Sequence, residues 1–286
     1  MPVLSETSSR YHAGMHLAEP LVSSWKARLA LEFAFRDEKT VLARRSHDGP
    51  LVVQKPLYPE GDAVCHAIVV HPPGGIAGGD ELALSATVGD DGAALLTSPA
   101  ATKWYRSAGA WARQDMAFDV TGTLEWLPQE TIVFDSALAR MSTTIELAAG
   151  ARYLGWEILC LGRTGSGERF TRGACNIATE IRREGKLLWL ERGRIEGGGE
   201  LLASPAGFGG RTVCATLLAT GEIDTECLAE CRRDPDVALT RLPGLLVARY
   251  LGDSSEAAKR CLVRIWSLLR PALIGRAAVE PRIWRT

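Results

Sequence analysis

From Trp25 onward, apolar and polar positions alternate with a period of two, the pattern of a half-buried strand. "WKARLALEFAF" (25–35) shows it most clearly. "PLVVQKPLYP" predicts a short strand stopped by Pro56 and Pro59, and "AVCHAIVVH" a largely apolar strand that ends at Pro72. A longer period overlays this one. "DDGAALLTSP", "VTGTLEWLPQ" and "AAGARYLGWE" each set a turn glycine before an extended apolar run. Their glycines, Gly92, Gly122 and Gly150, stand about 30 residues apart, and "REGKLLWLE" at Gly185 is a looser fourth copy. Such turn-plus-strand units predict stacked antiparallel strand layers in a solenoid-like or sandwich-like body.

Helical spacing enters late. "DTECLAECRRD" (224–234) suits a short helix capped by Asp224 or Thr225. "DSSEAAKRCLVRIWSLLRPALIG" (253–275) predicts a longer one. Ser254 or Ser255 can cap it, and Cys261, Leu262, Ile265, Trp266 and Leu269 share one face, with Pro271 ending or kinking it. Residues 1–24 are polar and expected to fray. No Gly-, Ser- or Pro-rich linker divides residues 25–286, which predicts a single β-dominated domain with about two helices toward its C-terminus.

Composition adds exclusions. The 286 residues are 46% hydrophobic and 23% charged with a formal net charge of −1, so no global field draws the chain to nucleic acid or an anionic membrane. Seven cysteines lie scattered, most of them in apolar runs, which fits buried thiols in a reducing cytoplasm. The start lacks a basic segment followed by an apolar one, and no apolar run reaches membrane length.

Candidate chemistry begins at "HPPGGIAGGDEL" (71–82). Its glycines, 74, 75, 78 and 79, do not fit a dinucleotide fingerprint, and an alternating run rather than a helix follows them. A second cluster, "EGGGE" (196–200), also precedes no clear helix. The first cluster reads as a bend between strands, with Asp80 and Glu81 in the turn. Cys65 and His71 share a strand face about 20 Å apart and cannot chelate one ion. Cys227 and Cys231 could meet on a helix, but no further ligand pair accompanies them. "RTGSGER" lacks the glycine spacing of a nucleophile elbow around Ser166. Asp80, Glu81, Glu125, Glu130, Asp135, Glu157 and Glu191 are acids in or beside apolar strand segments, where carboxylates are disfavoured and need partners. They either pair with basic residues such as Lys103, Arg106 and Arg163 or line a water-filled passage whose oxygens hold divalent ions weakly.

Several blocks, "LYPEGDAVCHAIVVHPPGGIAGGDELAL", "LLTSPAATKWYRSAGA", "LEWLPQETIVFDSA", "LGWEILCLGRTGSGERF", "ATLLAT" and "RPALIGRAAVEPRIWRT", closely resemble the UreD (UreH) family of urease accessory proteins. The likeness runs from about Trp25 to Thr286. It implies a non-enzymatic chain of stacked, helically arranged β-sheets with a pair of helices. It implies a complex with UreF and the GTPase UreG that docks on apo-urease and helps deliver nickel, through a proposed internal tunnel. GTP then belongs to UreG, in keeping with the missing phosphate loop. No tightly bound cofactor is implied, only a transient nickel ion.

By family match, Asp80, Glu81, Glu157 and Glu191 are the expected nickel-path acids, and Thr102 and Lys103 the polar pair linked to the tunnel or to activation. Glu130 and Asp135 are added on their setting alone. The glycine bend would then set Asp80 and Glu81 at the wall of a metal passage. Departures such as Trp104, Thr164–Gly165 and Ala215 touch packing. The rival readings are a metal-dependent hydrolase with a carboxylate-lined site, which the lack of a histidine cluster disfavours, and a β-solenoid adhesion module.

Overall fold

The computed structural model describes residues 24–285, so the expected frayed segment falls, except for Ser24, outside the described residues. The chain opens with a hairpin, β1 (Lys26–Arg36) and β2 (Lys39–Asp48), followed by β3 (Val52–Val53), β4 (Cys65–Val70) and β5 (Gly75–Ile76). Next come β6 (Glu81–Val88), β7 (Ala93–Thr97), β8 (Thr102–Trp104), β9 (Ala112–Val120), β10 (Thr123–Trp126) and β11 (Thr131–Val133). β12 (Leu138–Leu147) and β13 (Arg152–Leu161) lead into the hairpin of β14 (Ala174–Arg183) and β15 (Lys186–Glu196). The remainder is α1 (Glu200–Ala203), β16 (Val213–Thr220), α2 (Thr225–Cys231), β17 (Val237–Leu242), β18 (Leu245–Gly252) and α3 (Ser255–Ile274).

These strands build two sheets. The first has the order β15-β14-β12-β9-β6-β1-β2. The second runs β17-β18-β16-β13-β10-β7-β4-β3, with β5, β8 and β11 alongside. A mainly β body with helices toward the C-terminus matches the expectation; the strand direction at its centre does not. β1, β6, β9, β12 and β14 pair in parallel, as do β4, β7, β10 and β13. Antiparallel pairing is confined to the ends, at β1–β2, β14–β15, β3–β4 and β13–β16–β18–β17. The cause is the route of the chain. From β6 to β14 it alternates between the sheets, so each return to a sheet runs in the direction of the previous pass.

The 30-residue glycine period marks this stacking. Thr123 N donates to Gly92 O (2.8 Å), and Arg152 N donates to Gly122 O (2.9 Å), so each turn rests on the one before. A Cβ on Gly122 would lie 2.2 Å from Gly92 O, which no side chain tolerates. Gly185 is different. Glu184 and Gly185 both have positive φ (50° and 72°) and close the β14–β15 hairpin within one sheet, so the fourth copy is not a further layer.

Burial explains the sequence patterns. β1 has one buried face, and Ala27, Leu29, Leu31 and Phe33 alternate with exposed residues. β13 is covered on both sides and reads as a near-continuous apolar run. Its odd positions, such as Tyr153, Leu159 and Leu161, face the core between the sheets. Its even positions, Leu154, Trp156 and Ile158, face a second core beneath α2 and α3. Both predicted helix caps form: Asp224 accepts from Cys227 N (2.7 Å) and Ser254 from Ala257 N (3.1 Å). Pro271 lies inside α3, which ends at Gly275 in the left-handed conformation. One helical turn, α1, does follow the second glycine cluster, a departure from the reading of that stretch. Among the described residues no helix is long and apolar enough to cross a membrane.

Candidate functional site

A cavity of about 490 Å³ lies between the two sheets, its wall running from β6 and β4 across to β15 and β18. Most of its wall is apolar, from Leu82, Met116, Trp126 and Ile177 among others. Two polar rows cross it, and strand register builds both. In the first sheet Thr143 pairs with Thr179, and Thr179 with Glu191, placing the three side by side on β12, β14 and β15. In the second sheet Glu157 pairs with Thr216, and Thr216 with Arg249, on β13, β16 and β18. All six line the cavity. The rows meet at one end, where Arg249 Nη2 donates to Glu191 Oε1 at 2.6 Å and so joins the sheets.

The electrostatics follow from burial. Removal from bulk water, with the Glu191 charge nearby, pushes the Glu157 carboxyl from 4.5 up to about 7. The Cys214 thiol, also in the wall, is pushed up to about 12 by burial and by Glu157, and stays protonated. Elsewhere along the wall stands His71, whose buried Nε2 has no hydrogen-bond partner among the described residues. Burial lowers the pKa of His71, although the Asp80 charge opposes the shift, and the ring is neutral. A neutral imidazole, two carboxylates and several hydroxyls therefore face one enclosed space. Such donors hold a borderline divalent ion loosely.

The structure sorts the sequence-derived candidates. Glu157, Glu191 and Thr102 line the cavity. Lys103, next to Thr102 on β8, does not line it, and neither do Asp80, Glu81, Glu130 or Asp135. Asp80 is 1% exposed and staples the bend: its carboxylate accepts from Trp25 N (2.7 Å) and Ala77 N (2.8 Å). Glu81 is exposed and pairs with Lys26 at 3.8 Å. The bend therefore sets Asp80 and Glu81 off the cavity wall, because the backbone takes up one carboxylate and solvent surrounds the other. The Glu130 charge acts on Cys160 and on Lys259 of α3, on the helix side of the second sheet. Asp135 accepts from Thr171 N, Thr171 Oγ1, Arg172 N and Arg172 Nη2, bonds that hold its carboxyl far below the ordinary range despite the opposing effect of burial.

Loss of the Asp80 staple is expected to show as instability. Asp80→Ala leaves two part-buried backbone N–H groups without their carboxylate acceptor and should cost about 1–3 kcal/mol, read as a lower urea midpoint. An unchanged midpoint would return Asp80 to the list of path residues.

A second set of charges was flagged only in part by the sequence. Glu125, on β10, is 1% exposed and accepts from Trp266 Nε1 (2.6 Å) and Arg270 Nε (3.0 and 3.1 Å). Arg270 is fully buried and also donates to Glu60 Oε1 (2.7 Å), which lies 2.6 Å from His66 Nε2. Burial raises the Glu125 pKa, partly offset by Arg270 and Trp266. For Glu60, bonds from His66 and Arg270 outweigh burial and hold the pKa low. This network fastens α3 to the second sheet. Among the described residues, one group of three potential ligands converges within 4.8 Å: Asp234, Asp236 and Cys261. It lies outside the cavity, and Asp234 is already 3.4 Å from Arg264.

The fold and cavity define a class: a two-sheet β protein with helices on its outer face and an inter-sheet cavity whose wall includes carboxylates. The chain belongs to the family described as UreD urease accessory protein, whose model matches residues 26–285. Similar proteins carry the same description. One from Dechloromonas aromatica (strain RCB) is 54% identical, covering 92% of this chain and 95% of its own length. One from Azoarcus sp. (strain BH72) is 52% identical, covering 95% of this chain and 97% of its own. A third, from Pseudomonas aeruginosa, is 52% identical, covering 92% and 96% respectively.

Proposed function

We propose that this chain is a non-catalytic scaffold in urease maturation, acting in the cytoplasm with UreF and the GTPase UreG on apo-urease. Its task is to assist nickel insertion, and nickel passes as a transient cargo through the inter-sheet cavity. Family membership supports the urease role. The observation that carries the path is the pair of facing polar rows, with Glu157 and Glu191 in the wall of the inter-sheet cavity. Two carboxylates with threonine hydroxyls beside them offer oxygen ligands to a divalent ion without a closed thiolate or histidine cage, so the ion binds and leaves. Glu157 and Glu191 are the residues assigned to hold it, with Thr102 elsewhere along the same wall.

The test is the nickel content and activity of urease made in cells with and without this chain at limiting nickel. Urease made without it is expected to be nickel-poor and inactive. Fully metallated urease in its absence would end the proposal, and a screen of the purified chain for metal-dependent hydrolysis would follow.

A further inference from the structure

The mouth of the cavity already holds a cation. Arg249 extends from β18 in the second sheet to Glu191 on β15 in the first, at 2.6 Å. Its row-mate Glu157 lies two strands away across Thr216, and both carboxylates and Arg249 line the same space. Arg192 also lines the cavity, but its guanidinium reaches Glu180, at 4.0 Å. Among the described residues, Arg249 is therefore the cavity-lining arginine bonded to a member of the carboxylate pair, Glu191.

We propose that Arg249 is the resident counter-ion of the Glu157–Glu191 pair, closing the cavity mouth until a divalent cation arriving at the carboxylates displaces it. The inference rests on the reading of the cavity as a nickel path and adds to it a residue that decides when the path is open.

Three features fit displacement better than a fixed strut. The pair is half-exposed, with side-chain exposures of 49% for Arg249 and 33% for Glu191, so water screens it and the bond is weak. Arg249 borders a second, outer hollow formed with Phe208, Pro235 and Leu251, which gives the guanidinium a place to go. The ring of Trp189 lies 5.8 Å from the guanidinium and offers a cation–π contact at the same mouth.

The choice of arginine also matters. Its charge persists at every physiological pH, so protonation cannot open the mouth. A doubly charged ion can: it interacts with both carboxylates at once, whereas the guanidinium is bonded to one. In the empty path Arg249 offsets the Glu191 charge and closes the mouth, and the loaded path releases the arginine.

The test uses the full-length chain and nickel(II) alone, titrated by calorimetry or equilibrium dialysis, with thermal melts to confirm folding. Arg249→Gln removes the competitor and is expected to bind nickel at least about ten-fold more tightly than the unaltered chain, a change of about 1.4 kcal/mol. Adding Glu191→Gln to that variant should abolish the gain. Arg249→Lys keeps a cation at the mouth and should stay within a few-fold of the unaltered chain, which separates charge from packing. Equal affinity in the unaltered chain and Arg249→Gln, with both weakened by Glu157→Gln, would overturn the counter-ion role and leave the path intact. Absence of nickel binding in every variant would overturn the path reading, and the counter-ion role with it.

Discussion

Arg270→Ala is expected to destabilise the protein by about 3–5 kcal/mol, the usual penalty for breaking a buried ion pair by removing one partner. The guanidinium has no exposure and bridges Glu125 and Glu60, themselves nearly buried. Truncation leaves two nearly buried carboxylates with, among the described residues, only Trp266 and His66 as remaining donors. It also opens space where α3 meets the second sheet. Glu125→Leu combined with Arg270→Met should recover a large part of the loss, because two of the three buried charged groups then leave together and the third, Glu60, keeps His66. Urea unfolding followed by tryptophan fluorescence is a direct measure, since Trp266 sits in the network and within 5.8 Å of Trp284. A cost below about 1 kcal/mol would mean that water reaches the pair and that apolar packing alone holds α3.

This network shows why the sequence could be read for elements better than for connections. The serine cap and apolar stripe of α3 are local signals, and the helix begins as they predict. Arg270 looks like a solvated charge near a helix end. Its partner Glu125 is 145 residues away and Glu60 is 210 residues away, and no local pattern links them. The same limit applies to the sheets. The spacing of Gly92 and Gly122 reveals the repeat, and at Gly122 backbone contact with the turn stacked before it excludes a Cβ. It does not reveal that successive repeats alternate between sheets, which is what makes the central strands parallel.

The site follows the same logic. An acid in an apolar strand signals a carboxylate held beside the core, and that rule found Glu157 and Glu191. It found Asp80 and Asp135 equally well, although these spend their oxygens on backbone and loop donors. The rule detects an acid beside the core: it also took in the exposed Glu81 and the part-exposed Glu191, and it cannot distinguish a staple from a cavity wall. Thr143, Thr179, Thr216 and Arg249 carried no signal, because what makes them one site is register between strands far apart in sequence.

Glu157→Gln is expected to make the protein more stable at pH 8 and worse at its task. The folded-state pKa of Glu157 is about 7, against 4.5 for the free side chain. Between those values the folded protein keeps a proton that the unfolded chain has lost. Stability therefore falls as pH rises through the window, and the penalty is complete above about pH 7. At 1.36 kcal/mol per pH unit the ceiling is about 3 kcal/mol, and water in the cavity lowers it, so a gain of about 1–3 kcal/mol is expected for glutamine at pH 8. Near pH 4.5 the two proteins should unfold alike. Parallel urea titrations at pH 5, 6, 7 and 8 would show the difference opening with pH; a constant difference would mean that the carboxyl is not held in a poorly solvated wall. The same substitution removes one of two carboxylates from the proposed nickel path, so urease activation at limiting nickel should drop while the accessory complex still assembles. A chain selected only for stability would not keep an acid at this position, and its destabilising charge becomes intelligible if a passing cation needs it. Improved stability at pH 8 with full urease activation would separate the two effects and take Glu157 off the path.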